Sequence, residues 1–216
     1  MLHPASRLVK NDHSVLWCRV PKVTDEYRAA RRDEIVDAAL AAFRRKGFQA
    51  ASMADIIAES GQSAGAIYGH FKGKSEIVLE VATRVVGERV IDVQRVSEGE
   101  RLVPPSALLR VLVDGMTRDL GDPTIVVQIW GEAITDPKLK ALALRTFDRL
   151  YTALQGYIAL WHTREHWRSP VDAAAIATRQ APLFISAVQG YLLQRAIMPD
   201  FDADAYFATL DEYLPR

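Results

Sequence analysis

Residues 63–74 read Ser-Ala-Gly-Ala-Ile-Tyr-Gly-His-Phe-Lys-Gly-Lys. The chemistry open to this run is non-covalent. The Tyr68 phenol, the His70 imidazole and the Lys72 and Lys74 ammonium groups are donors of the kind that engage phosphate oxygens. The small residues Ala64, Gly65 and Ala66 let a helix backbone come close to base edges in a groove. Ile67 and Phe71, four apart, face the opposite side of the same helix. A short helix showing small residues, one phenol and one imidazole makes a poor core element and a good groove reader.

Such a helix needs elements to hold it. Ser52 precedes a short apolar pattern with Asp55 three residues on, so its hydroxyl can accept from a free amide of the first turn while the carboxylate complements the positive helix end. Met53, Ile56 and Ile57 supply the buried stripe of this second helix, and Gly61 can stop it in a left-handed conformation without steric cost. Ser63 caps the reading helix. Upstream, residues 24–46 read as a longer helix, with Asp25 and Glu26 in its first turn, Ile35, Ala39 and Phe43 buried, and Arg44, Arg45 and Lys46 at its negative end. Arg28, Arg31 and Arg32 lie toward its start, where they either bind phosphate or pair with Asp33 and Glu34; Arg28 and Arg31 are assigned to DNA. Ser52 and Met53 are counted with the DNA-facing residues.

This order of residues resembles the N-terminal helix-turn-helix of the TetR family of bacterial transcriptional regulators. Gly61, Ser63, Gly65-Ala66-Ile67-Tyr68, His70-Phe71 and Lys74 match the glycine stop, cap, tetrapeptide, His-Phe pair and lysine of that family. Ile35, Ala38, Ala39, Phe43 and Gly47 look like its first helix and stop. The likeness covers residues 28–80; beyond them only helix count and layout are similar. Relatives often carry Thr before the second helix, where this chain has Ala50-Ala51-Ser52, so the cap and phosphate role passes to Ser52 alone. The resemblance implies a homodimer in which the last two helices pair with their copies as a four-helix bundle. Ile176, Leu183, Val188, Leu192, Tyr206 and Leu210 are its interface candidates, the alternative being packing within one chain.

Composition bounds the rest. A chain of 216 residues with 49% apolar residues, 25% charged and net charge +0 is globular rather than disordered and fits one or two domains. The neutral total hides an asymmetry: residues 1–77 carry +3 and residues 78–216 carry −3, a bias that suits DNA in the first part. The single cysteine, Cys18, excludes an intramolecular disulfide and a multi-cysteine metal site, which fits a reducing compartment. No apolar run approaches a membrane span, and Lys10, Asn11, Asp12 and His13 interrupt the signal-peptide region, so a cytoplasmic protein off the membrane is expected. Residues 1–23 lack a helical period and read as a poorly ordered tail. Either translation begins at Val20, whose Val-Pro-Lys-Val-Thr-Asp-Glu resembles the start of relatives, or Arg7, Lys10 and Arg19 form an arm touching DNA.

After Phe71, Gly73 opens a fourth helix through Ile77, Val81 and Val85 to about Val96, roughly 33 Å at the standard rise. It begins beside the reading helix and ends in the C-terminal half, which makes it a natural lever. Asp122-Pro123, Asp136-Pro137 and Ser169-Pro170 each place a capping residue before proline. Further helices are expected at 106–120, 123–134, 137–166, 170–196 and 202–214, with a kink at Pro182. No period-two pattern competes. The fold class is therefore all-α: a three-helix DNA-binding domain at 24–73 and a helical effector-binding and dimerisation domain at 74–216, joined by the helix 74–96.

Met116, Gln128, Trp130, Glu132, Phe147 and Tyr151 on the middle helices are the effector-site candidates, since bundle cores hold small molecules where a few polar groups face an apolar cavity. The bland alternative is plain core, with Glu132 pairing to Arg145 or Arg149. His162 and His166 lie on one helix face, but without a third ligand they read as surface histidines, and no metal or cofactor is expected. No nucleophile motif, phosphate-cradling loop or carboxylate pair points to an enzyme. The expected function is a homodimeric regulator on pseudo-palindromic double-stranded operator DNA, a repressor released by a small apolar or amphipathic effector. Two alternatives stand beside it: a helical small-molecule-binding protein or enzyme with a vestigial helix-turn-helix, and a transcriptional activator.

Overall fold

The computed structural model describes residues 24–123 and 125–214. The expected tail, the start at Val20 and the arm of Arg7, Lys10 and Arg19 lie outside them. Among the described residues regular structure is all helical: α1 (Asp25–Lys46), α2 (Met53–Ser60), α3 (Ala64–His70), α4 (Lys74–Ser97), α5 (Pro105–Leu120), α6 (Ile125–Thr135), α7 (Pro137–Glu165), α8 (Pro170–Ile197) and α9 (Ala203–Tyr213).

Local side chains set most of these boundaries. Thr24 accepts from the Tyr27 amide, Ser63 from Ala66, Ser169 from Asp172 and Asp202 from Ala205, each satisfying a donor that has no partner inside its helix. Ser52 and Asp55 form a reciprocal capping box on α2. Gly47 (φ +78°) and Gly61 (φ +64°) stop α1 and α2 in backbone that a side chain would strain. α6 begins two residues later than Asp122-Pro123 implies, because the Ile125 and Val126 amides bond back to the Asp122 and Pro123 carbonyls in a turn. α8 continues through Pro182, which supplies no ladder donor there.

Ile35, Ala39, Phe43, Phe48, Ile56, Ile67 and Phe71 are buried together under α1–α3, and this cluster continues without a break into Leu109, Leu112, Leu154, Ile158 and Phe184. α4 makes the connection. Its first turns lie on α1, and its length packs on α5 and α7 through Ile77, Val78, Val81, Val85 and Val93. α7 and α8, joined by residues 166–169, form the most extensive helix pair, with α9 laid across α5 and α8.

Two expectations change here. Val188 and Leu192 are buried within their own chain, so they are core residues and not available to a second subunit. His162 is buried too, sharing a 3.0 Å hydrogen bond with Gln180. It is not a surface histidine; burial without a partner would leave its ring polar groups uncompensated, and Gln180 supplies the partner.

Candidate nucleic-acid interface and apolar cavity

The reading element has two distinct faces. Ile67 and Phe71 are fully buried, while Ser63, Ala64, Gly65, Ala66 and Tyr68 are exposed, the Tyr68 ring at 53%. Turning one side of so short a helix into the core leaves the small residues on the outside as the spacing requires. His70 is half-buried in the last turn. Ser52 is exposed but its hydroxyl serves the α2 cap, and Met53 is half-buried against the core.

The cations around this helix divide into fixed and free. Arg32 donates to the His70 carbonyl (2.9 Å) and to Glu80 (2.6 Å) with its guanidinium 4.3 Å from the Phe71 ring, so it joins α1, α3 and α4. Arg31 bonds Tyr27 and Glu34, the pairing alternative to a DNA contact. Arg45 pairs with Glu59 and Lys46 with Asp55 (2.5 Å), tying the end of α1 to α2. The Lys46 hydrogen bond, reinforced by Ser52, holds the Asp55 carboxyl well below the usual carboxylate range.

Lys74 is turned inward. Its ammonium donates to the Phe48 carbonyl (2.6 Å) and sits 4.6 Å from the centre of the Phe48 ring, and burial lowers its pKa. Among the described residues of the three-helix unit, only Arg28 and Lys72 are cations whose side chains have no partner. The positive surface is thus narrower than the residue count implies.

The second feature lies between α4, α5, α6, α7 and α8. It is an apolar cavity of about 100 Å³ whose wall includes Val85, Leu112, Met116, Trp130, Phe147 and Leu192. It continues at Trp130, Ala133, Ala143 and Phe147 into an open groove bounded by Ile134, Leu144 and Leu193. The Trp130 and Phe147 rings, 5.8 Å apart, stand where the two meet. Of the expected effector residues, Met116, Trp130 and Phe147 line the cavity. Gln128, Glu132 and Tyr151 do not: Gln128 faces solvent, Tyr151 reaches the Thr178 carbonyl on α8, and Glu132 accepts from Gln49 (3.2 Å) in the loop after α1. Glu132 therefore links α6 to the loop after α1, neither lining the cavity as expected nor making the alternative pair with Arg145 or Arg149.

Sequence reasoning missed Arg89. It is 1% exposed, lines the cavity, and binds Asp92 (2.9 Å) and Asp119 (2.8 Å). The signal was its spacing of four from Val85 on an otherwise apolar α4 face. Asp119 also accepts, through its main-chain carbonyl, from Arg44 of α1. Hydrogen bonds from Arg44 to Asp119 and from Gln49 to Glu132 thus join the α1 end and its following loop to α5 and α6, beside those that join α1 to α4 (Arg32 to Glu80 and Arg84 to Asp37).

Of the remaining expected interface residues, Ile176, Tyr206 and Leu210 are half-buried and Leu183 is exposed. The Tyr206 hydroxyl is committed to the Ala187 carbonyl (2.7 Å). Val171, Leu193 and Ile197 add exposed apolar surface along α8. His162 and His166 have ring centres 5.4 Å apart, and no cluster of three or more potential metal ligands occurs among the described residues. Nor is any helix among them long and apolar enough to cross a membrane.

Known proteins resemble this chain in part of their sequence or in fold. YfiR of Bacillus subtilis (strain 168), an uncharacterised HTH-type transcriptional regulator, is 33% identical over 109 residues, 50% of this chain and 53% of YfiR. AcrR of Shigella flexneri, an HTH-type transcriptional regulator, is 28% identical over 171 residues, 74% of each chain. The chain thus spans about half the length of YfiR. A solved transcriptional regulator from Saccharomonospora viridis in complex with choline superposes with a TM-score of 0.62 over 86% of this chain and 95% of that one, at 23% identity, a likeness of fold. Residues 35–81 match the family described as bacterial regulatory proteins, tetR family. That segment holds the α2 capping box, the Gly61 stop and the whole of α3, and over it the chain is similar to the tetR family.

Proposed function

We propose that the chain is a homodimeric, sequence-specific DNA-binding repressor released from its operator by a small apolar or amphipathic effector. The two-faced α3 carries the reading: Ile67 and Phe71 anchor it, while Ala64, Gly65, Ala66 and Tyr68 face outward. This is the form of a helix placed in a major groove, where small residues allow close approach and a phenol hydroxyl meets phosphate. Ser63, His70, Lys72 and Arg28 flank it as positioning contacts. Exposed Leu183, Leu193 and Ile197 on α8 support pairing with a second copy, which makes the operator a pseudo-palindrome. The cavity behind Trp130 and Phe147 supports the effector site, as does the choline found in the solved regulator of similar fold.

Selection of the full chain on a randomised duplex library tests the first part. The expected product is a pair of inverted half-sites about one helical turn apart or a multiple of it. Ala64→Gln should shift the preferred bases or abolish specific binding while leaving salt-sensitive binding to any duplex. Recovery of no preferred sequence, or an unchanged sequence with Ala64→Gln, would overturn the assignment of α3 to the groove.

A further inference from the structure

Arg89 is the only charged residue among the described residues that line the cavity. Its Nε donates to Asp92 and its Nη2 is paired with Asp119, but Nη1 is buried with no hydrogen-bond partner among the described residues. A guanidinium carries five donors and cannot shed its charge, so an unmet buried N–H is a standing demand for an acceptor. Both carboxylates have other partners. Arg95 approaches Asp92 (3.0 Å), and Arg118 approaches both Asp92 (3.8 Å) and Asp119 (3.7 Å). Arg95 and Arg118, both largely exposed, thus share the two carboxylates from the solvent side, while Arg89 alone of the three lines the apolar space. Gly115 fixes the arrangement: a Cβ there would lie 2.6 Å from Arg89 Cζ, so only glycine lets the guanidinium rest against α5.

Resting on the reading of the cavity as the effector site, we propose that it takes a small monoanionic amphiphile, whose acid group binds Arg89 at Nη1 and whose apolar body lies against Met116, Trp130 and Phe147. No carboxylate lines the cavity, so a quaternary ammonium ligand would meet Arg89 with no counter-charge facing it. An acid at Arg89 also competes with Asp119 for the guanidinium. Asp119 is the residue whose main chain receives Arg44 from α1, so the head group acts beside a link to the DNA-binding helices.

The test compares octanoate, octanol and octyltrimethylammonium binding to the full chain, read by titration calorimetry near neutral pH. The expected order is octanoate tighter than octanol by about tenfold or more, with the cation weakest. In Arg89→Gln the preference for octanoate over octanol should fall to within about twofold while octanol binding persists. Should that variant not fold, Arg89→Lys, which keeps the charge but loses the fork, should lower the preference in the same direction. Octanol binding equal to octanoate, the cation binding tightest, or a preference undiminished in the Arg89 variant overturns the acid-group proposal and leaves the cavity reading intact. Binding of none of the three overturns both.

Discussion

Lys72 and Lys74 stand two residues apart, share a charge and do different work. Lys72 is exposed and its side chain is free; Lys74 is bound to the Phe48 carbonyl and ring. Lys72→Ala should therefore flatten the salt dependence of DNA binding by about one counterion without moving the melting temperature. Lys74→Ala should lower the melting temperature, because it removes a cation–π contact and the partner of a loop carbonyl; such losses are about 1–2 kcal/mol. Salt titration of duplex affinity beside thermal unfolding separates the two, and a melting temperature unchanged in Lys74→Ala would return Lys74 to the phosphate. The family-like run named both lysines but could not divide them, since the partner of Lys74 lies 26 residues upstream. Arg89 escaped for a related reason. An isolated arginine on an apolar stripe reads locally as a breach of the pattern, and Asp119, which completes its site, comes from another helix.

Helices were the most legible level, because capping chemistry is local. Ser52, Asp55, Gly61 and Ser63 mark the ends of α2 and the start of α3 within a few residues of the groups they satisfy. Ser52→Ala should destabilise the fold by about 1 kcal/mol, lowering the melting temperature by about 2–4 °C for a chain of this size. The Asp55 carboxyl, held low by Lys46 and Ser52, adds a pH dependence of defined sign. Its stabilising contribution is present above the unfolded value of about 3.9 and is lost as pH falls through the lower folded value. Acid unfolding of Asp55→Asn should therefore lose part of the steepness seen below about pH 4 in the parent chain; identical curves would mean that Asp55 titrates alike in both states. Faces of the long C-terminal helices were less legible. α8 is apolar nearly all round, so the period that singled out Val188 and Leu192 together with Leu183 could not tell inward from outward; the first two are buried and the third is half exposed. A helix without a polar face carries no local mark of its orientation.

Across the whole molecule, α4 and the polar links from α1 and its following loop connect the first helices to those around the cavity. Glu132 and Gln49 are 83 residues apart in sequence, a pairing that nothing local announces, which is why Glu132 was placed in the effector site. Trp130→Ala should weaken the response to ligand and spare operator binding. Glu132→Ala should leave ligand affinity intact and shrink the effect of ligand on DNA binding, a coupling typically worth about 1–3 kcal/mol. Measuring each affinity with and without the other partner distinguishes them, and by reciprocity both directions must give one coupling value. A loss of ligand affinity itself in Glu132→Ala would place that carboxylate in the cavity after all. The groove outside Trp130 and Phe147 has a separate thermodynamic consequence. Ile134 is 78% exposed and Leu144 61%, so a ligand that fills the cavity and lies along the groove removes apolar surface from water on both sides of the contact. Binding should then carry a negative heat-capacity change. Its enthalpy becomes steadily more favourable from about 10 to 35 °C while its entropy declines in compensation, so the free energy of binding stays nearly level across that range.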